Sequence, residues 1–171
     1  MEYTKNKIPY DIQKILNNYK EYIDTKIYYY GSIQRVDYFI GKSDIDILIF
    51  TDNVDAIISK TSYYFHINKK KFRKIVWNYK NKLIEGIKVM YYSDDPEFRL
   101  EISIYDEKYK KYVIADKSLP NNISFMLSLL LIILKCLYYN IGIIPKSYYR
   151  YYKTNLFNYI RGEESIFVLL K

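Results

Sequence analysis

Histidine and cysteine are almost absent from this chain of 171 residues: His66 and Cys136 are the only ones. A single cysteine excludes an internal disulfide and a cysteine-rich zinc site, and a single histidine nearly excludes a His-based metal site or a Ser-His triad. Any chemistry must therefore use carboxylates, hydroxyls and amines. Glycine (5) and proline (4) are also scarce, and there is no low-complexity linker or repeat. The greasiest run, from Ile123 to Leu134, meets Lys135 well short of the ~20 apolar residues that cross a bilayer. It reads as a buried helix, and no membrane partner is expected. The first residues, Met1-Glu2-Tyr3-Thr4-Lys5, lead into no apolar stretch, so no signal peptide is expected and a cytoplasmic location is.

What is abundant is tyrosine (23 residues) and positive charge, a net +8. Tyr, Lys, Asn and Ile have AT-rich codons, which suits a viral or other low-GC genome. The charge is localised. Residues 60 to 88 carry Lys60, Lys69, Lys70, Lys71, Arg73, Lys74, Lys80, Lys82 and Lys88 against Glu85 alone, and the remainder of the chain is balanced. Such a block is the footprint of a polyanion partner, with Lys69, Lys70, Lys71, Arg73 and Lys74 as candidate nucleic-acid contacts. A solvated lysine-rich hairpin is the competing explanation. His66 and Trp77, in the same segment, are taken as structural.

Half of the residues are apolar, enough for a core. Helical spacing marks residues 8 to 23. Strands are expected at 25–30 and 43–50, a short helix from Ser32 to about Tyr38, and a helix at 54–60 capped by Asp52 or Asn53. A hairpin is expected at 72–92 around Lys80-Asn81-Lys82, then a turn at Ser93-Asp94-Asp95-Pro96. Further strands are read at 98–105 and 109–115, and helices at 120–139 and 145–161. The order defines an α+β fold: a mixed or antiparallel sheet flanked by helices, with a catalytic unit at 1–118 and a C-terminal helical segment at 119–171 packed on it. The apolar end Phe167-Val168-Leu169-Leu170 suggests a surface for a partner, so a homo- or hetero-oligomer is expected.

Two acids stand at i and i+2 in "SDIDILIF" (Ser43 to Phe50). On a strand, Asp44 and Asp46 share one face while Ile45, Ile47 and Ile49 take the other. Two adjacent carboxylates repel, and a hard divalent cation such as Mg²⁺ makes the pair tolerable. Glu101, in Leu100-Glu101-Ile102, is opposite the apolar stripe of its own strand and suits a third ligand in a two-metal site. Asp106, at the end of that strand, is the weaker choice. Gly31-Ser32 follows a strand and is expected to open a helix, a corner where backbone N–H groups and a hydroxyl meet phosphate.

Tyr30-Gly31-Ser32, Ser43-Asp44-Ile45-Asp46-Ile47-Leu48 and Leu100-Glu101-Ile102 together resemble the signature of the DNA polymerase β-like nucleotidyltransferase superfamily. Arg35, third after the Gly-Ser pair, matches a basic position in the minimal nucleotidyltransferases. The loop between Ser32 and Asp44 has eleven residues, one more than their commoner form. The stretch Ser128 to Tyr149 is similar to the helix that follows the catalytic strands in poly(A)-polymerase-like members, where a lysine meets the triphosphate. Lys135 is its counterpart, and helical geometry independently places Ser124, Ser128 and Lys135 within about 40° of one another. A lysine that merely extends from a helix end is the alternative.

The resemblance implies transfer of a nucleoside monophosphate from an NTP to a hydroxyl acceptor, an RNA or another polynucleotide first, by two-metal catalysis with Mg²⁺ or Mn²⁺. It implies Asp44, Asp46 and Glu101 as catalytic metal ligands. Gly31, Ser32, Arg35, Ser128 and Lys135 would bind the nucleotide; Lys42 is a further phosphate candidate, and Tyr138 or Tyr139 would stack on the base. "PKSYYRYYK" (Pro145 to Lys153) reads either as a stacking platform or as a packed helix. Two other functions stay open: a protein-modifying (AMPylating) antitoxin-like enzyme, and a catalytically inactive subunit that binds nucleic acid or a protein.

Overall fold

A computed structural model describes residues 1–119, 123–161 and 167–169, the last three and 160–161 as backbone only. The elements are α1 (Tyr10–Ile23), β1 (Ile27–Tyr30), β2 (Ile45–Thr51), α2 (Val54–Tyr64), β3 (Arg73–Tyr79), β4 (Lys82–Asp94), β5 (Glu97–Asp106), α3 (Lys110–Ser118), α4 (Phe125–Cys136), α5 (Lys146–Arg161) and β6 (Phe167–Leu169). The fold is α+β. The six strands form one mixed sheet in the order β1-β2-β5-β4-β3-β6. Only β2 and β5 run parallel; every other neighbouring pair is antiparallel. Among the described residues no helix is long and apolar enough to cross a membrane.

Side-chain alternation divides the sheet into two unlike faces. On one, Ile45, Ile47, Ile49, Leu100, Ile102 and Ile104 meet Ile12, Leu16, Tyr19 and Ile23 of α1 and Ile57 of α2 in the larger core. Buried Tyr19 and Thr61 share a hydrogen bond of 2.7 Å across the two helices. The other face carries Tyr28, Leu48, Phe50, Trp77 and Tyr105, covered by Val113 of α3. That cover ends partway along the strands. Beyond it, on the same face, lie Tyr30, Asp46 and Glu101, which follow one another across the register of β1, β2 and β5.

Most expected elements are present within a residue or two. The β3–β4 turn is the two-residue Lys80-Asn81, both with positive φ, a type I′ geometry. Asn53, not Asp52, caps α2, accepting from the Ala56 N–H at 3.0 Å. Three expectations need correction. Ser32 to Tyr38 is not a helix: a single 3-10 turn, Gly31–Gln34, ends in extended Arg35. Residues 109–115 are not a strand but the start of α3. Asp106 accepts from the Lys108 N–H at 2.9 Å, and burial of Val113, Asp116 and Lys117 follows the helical i, i+3, i+4 spacing despite the β-prone Tyr-Val-Ile composition. The 120–139 helix is α only from Phe125 to Cys136 and closes in a π turn at Leu137–Ile141, with Pro120 outside the described residues. The apolar segment 167–169 forms β6, the edge strand, paired with Ile75–Trp77 of β3.

Gly86 on β4 lies under the ring of buried Tyr105, which a Cβ would overlap, with the Ile104 carbonyl 3.1 Å away. Gly86→Ala is expected to cost about 1–3 kcal/mol by overpacking. Urea unfolding should show a lower midpoint at unchanged slope; an unchanged midpoint would contradict this packing.

Candidate active site

β2 projects Asp46 into a cleft of about 610 Å³, and Asp44, just ahead of the strand, faces the same space. Glu101, directly opposite Asp46 on β5, shares it, as do Gly31 and Ser32 beyond the end of β1. Gly31 has φ +74°, and a Cβ there would overlap Asp46 Oδ2. Only glycine lets the backbone come this close to the carboxylate. The anion corner is therefore a glycine turn on a short 3-10 segment, not a helix N-terminus.

The carboxylates are held under stress. Burial, then Glu101 and Asp44, push Asp46 up to about 8, against partial relief from Lys153 and Lys88. Burial also raises Asp44, partly offset by Lys153 and Arg99. Asp44 Oδ1 is buried with no hydrogen-bond partner, and Arg99 Nη1 comes only to 4.0 Å. Glu101 is different. Its Oε1 accepts from the Tyr30 hydroxyl at 2.6 Å and its Oε2 pairs with Lys88 Nζ at 2.7 Å. Burial and the Glu101 and Asp46 charges hold the Tyr30 hydroxyl well above its usual range, so it stays a donor.

The donor chemistry suits a hard cation. Asp44 and Asp46 offer oxygens that are desolvated and mutually repelling, and one of them lacks a hydrogen-bond partner. The three-ligand cluster is less complete. Among the described residues no three Asp, Glu, His or Cys side chains are grouped to hold a metal ion, and both Glu101 oxygens are engaged. Asp106 is remote from this chemistry, capping Lys108 and pairing with its ammonium at 2.9 Å.

A second centre sits behind the carboxylates. Asp37, fully buried, accepts from Arg35 Nε at 2.7 Å and Nη2 at 3.0 Å, and pairs with Lys135 Nζ at 3.0 Å. Lys135 also donates to the Asp37 carbonyl at 2.6 Å and to Ser43 Oγ at 3.3 Å. Burial would raise Asp37, but Arg35 and Lys135 outweigh it and hold the carboxyl below its usual range. Burial, against the pull of Asp37, brings Lys135 down to about 8. Arg35 and Lys135 line the cleft, yet their charges are committed to Asp37. The eleven-residue loop is thus pinned at Asp37 and folded at 39–43, where Ser43 N–H meets the Phe39 carbonyl at 2.8 Å. Lys42 turns outward to Asn140 Oδ1 at 2.7 Å, tying the loop to the end of α4.

The structure does not bring every candidate here. Ser128 faces a separate groove with Asn6, Gln34 and Arg35, and Ser124 caps α4 through the Leu127 N–H. Lys69, Lys70, Lys71, Arg73 and Lys74 are exposed and do not line the cleft; Lys74 pairs with Glu85 at 2.8 Å. Tyr139 lines it, while the Tyr138 ring stacks on Tyr149 at 4.4 Å. Sequence reading missed Asp37, Lys88, Lys117 and a face of α5: Arg150, Lys153, Thr154, Phe157 and Asn158. The α5 residues had a legible signal, the spacing i, i+3, i+4, i+7, i+8. Lys88 and Asp37 had none, because only the tertiary register aims them inward.

A family model described as a nucleotidyltransferase domain matches residues 11–124, and this chain belongs to that family. The α5 wall of the cleft lies beyond the matched segment. Two solved structures are similar at low identity: a Cid1 poly(U) polymerase with MgGTP bound, at 14% identity and TM-score 0.45, and a Cid1 described for its RNA terminal uridylyl transferase activity, at 13% and 0.42. Each alignment covers 75% of this chain, which spans about 40% of the length of those proteins. No curated protein matches the sequence.

Two outcomes follow from these charges. Asp37→Asn strands two buried cations and should cost about 3–5 kcal/mol in urea melts. Lys135→Met should cost less, since Arg35 stays on Asp37; the reverse ranking would contradict the Asp37 hub. Asp46 titrates near 8 when folded and about 4 when unfolded. Its protonated form therefore favours the fold, a contribution complete below about pH 4 and lost as pH rises to about 8. Without divalent ions, Asp46→Asn should gain on the wild type over that window, and parallel profiles would contradict the burial.

Proposed function

We propose that this chain transfers a nucleoside monophosphate from a nucleoside triphosphate to a hydroxyl of RNA or another polynucleotide. The observation that carries the reading is the cleft itself, which Asp44, Asp46 and Glu101 line together with Gly31 and Ser32, with Asp44 Oδ1 lacking a hydrogen-bond partner. Residues 1–118 supply the carboxylates and the glycine turn; α5 supplies a cationic wall through Arg150 and Lys153.

Gly31 and Ser32 receive the phosphate tail, where no side chain obstructs the backbone. Arg150 and Lys153 of α5 face the same space and bind the triphosphate electrostatically. Lys135, through Asp37 and Ser43, fixes the loop that delivers Asp44. Tyr139 forms the aromatic side of the pocket for the base. Mg²⁺ or Mn²⁺ bound at Asp44 and Asp46 would neutralise their charge and polarise the α-phosphate. The protein's part is then placement and charge complementarity.

The acceptor is read from the basic block. Arg73 stands opposite Lys88 in the β3–β4 register, and Lys88 lines the cleft. Positive charge therefore continues from the cleft wall over Arg73 to the exposed Lys69, Lys70 and Lys71, a track suited to a phosphate backbone. One observation favours a second reading, a catalytically silent subunit that binds nucleic acid: neither oxygen of Glu101 is free.

The test uses α-labelled NTPs and Mg²⁺ or Mn²⁺ with RNA in one arm and cell lysate protein in another. Label should pass to RNA, and Asp44→Ala/Asp46→Ala should lower it by at least about 10²-fold. Label on protein instead would support the AMPylating alternative. No transfer, with RNA binding retained in the double variant, would overturn the enzyme reading.

A further inference from the structure

We propose that Lys88 acts as a built-in cation of the centre, so that the site takes one divalent ion, at Asp44 and Asp46, and not two. This rests on the metal-dependent reading above and specifies it. Lys88 springs from β4 opposite Ser103, and its side chain runs diagonally to Glu101 at the next position on that face. The pair is partly shielded, with side-chain exposures of 31% and 17%. With the Tyr30 hydroxyl on the other oxygen, Glu101 has both oxygens occupied by donors of this chain. The unmet demand lies elsewhere, at Asp44 Oδ1, which has no hydrogen-bond partner and only Arg99 Nη1 at 4.0 Å. Among the described residues no third acid joins the two aspartates in a metal-holding group.

Charge balance favours the same answer. The three carboxylates carry three negative charges; one divalent ion and the Lys88 ammonium carry three positive ones. A second divalent ion at Glu101 would have to displace the ammonium or lie against it, and like charges that share one carboxylate repel strongly in a desolvated cleft. Lys88 is thus a positioning residue, fixing Glu101 as an acceptor toward Tyr30 and supplying charge where a second ion would sit.

The experiment counts Mn²⁺ bound per chain by electron paramagnetic resonance titration of the full chain. It is run with Mn²⁺ alone and with an ATP analogue bearing a methylene between its α and β phosphorus atoms, after subtraction of the protein-free control. The wild type should bind one ion, lost in Asp44→Asn. Lys88→Met should bind two, returning to one in Lys88→Met/Glu101→Gln. Glu101→Gln alone should leave one, a result that does not depend on the folding of the lysine variant. Two ions in the wild type, falling to one in Glu101→Gln, would overturn the role of Lys88 and leave the metal-dependent reading standing. No ion in the wild type, or a count indifferent to Asp44→Asn, would overturn both.

Discussion

Three carboxylates crowded onto one face of a sheet, with apolar strands around them, set the terms for everything else in this molecule. Gly31 closes over Asp46, and Glu101 is its register partner on β5. The fold accepts the repulsion and holds Asp46 near 8. Such a centre is costly to keep in a bare protein, and strongly perturbed carboxylates in a cleft are a mark of functional sites. The sheet supplies the rigidity: β2 and β5 run parallel through the middle, gripped by α1 and α2 on the opposite face.

Cations are distributed around this centre by distance. Arg35 and Lys135 converge on Asp37 in a buried knot that orders the loop before β2. Lys88 reaches Glu101. Arg150 and Lys153 of α5 also line the cleft, Lys153 with its Nζ 5.8 Å from the centre of the Tyr149 ring. Only then come the exposed lysines of 69–71. The arrangement passes from structural charge, through site charge, to a surface gradient, which is the order in which a charged substrate would meet them in reverse.

Much of this was legible in the sequence, for a physical reason. Alternation in "SDIDILIF" and "FRLEISIY" identifies strands and the acids that break their apolar faces, and Gly31-Ser32 marks the turn beside them. The acids and the turn do share a cleft. What escaped were features decided by register and by helix packing. Residues 109–115 look β-prone, yet a 3-10 turn capped by Asp106 leads them into a helix whose buried face includes Asp116 and Lys117. Lys135 has the helical position expected of it, but its ammonium goes to Asp37, an acid that had no local mark. Lys88 was counted within a basic block, where nothing distinguishes the one lysine whose strand register turns it inward.

The central claim is that the half-buried pair Asp44 and Asp46 forms a divalent-cation centre. Thermal melting at about pH 8 with and without millimolar Mg²⁺ tests it most directly, since an ion that binds only the folded chain raises its melting temperature. The account predicts a rise of several degrees in the wild type that vanishes in Asp44→Asn/Asp46→Asn. An equal rise in both proteins, or none in the wild type, would contradict it.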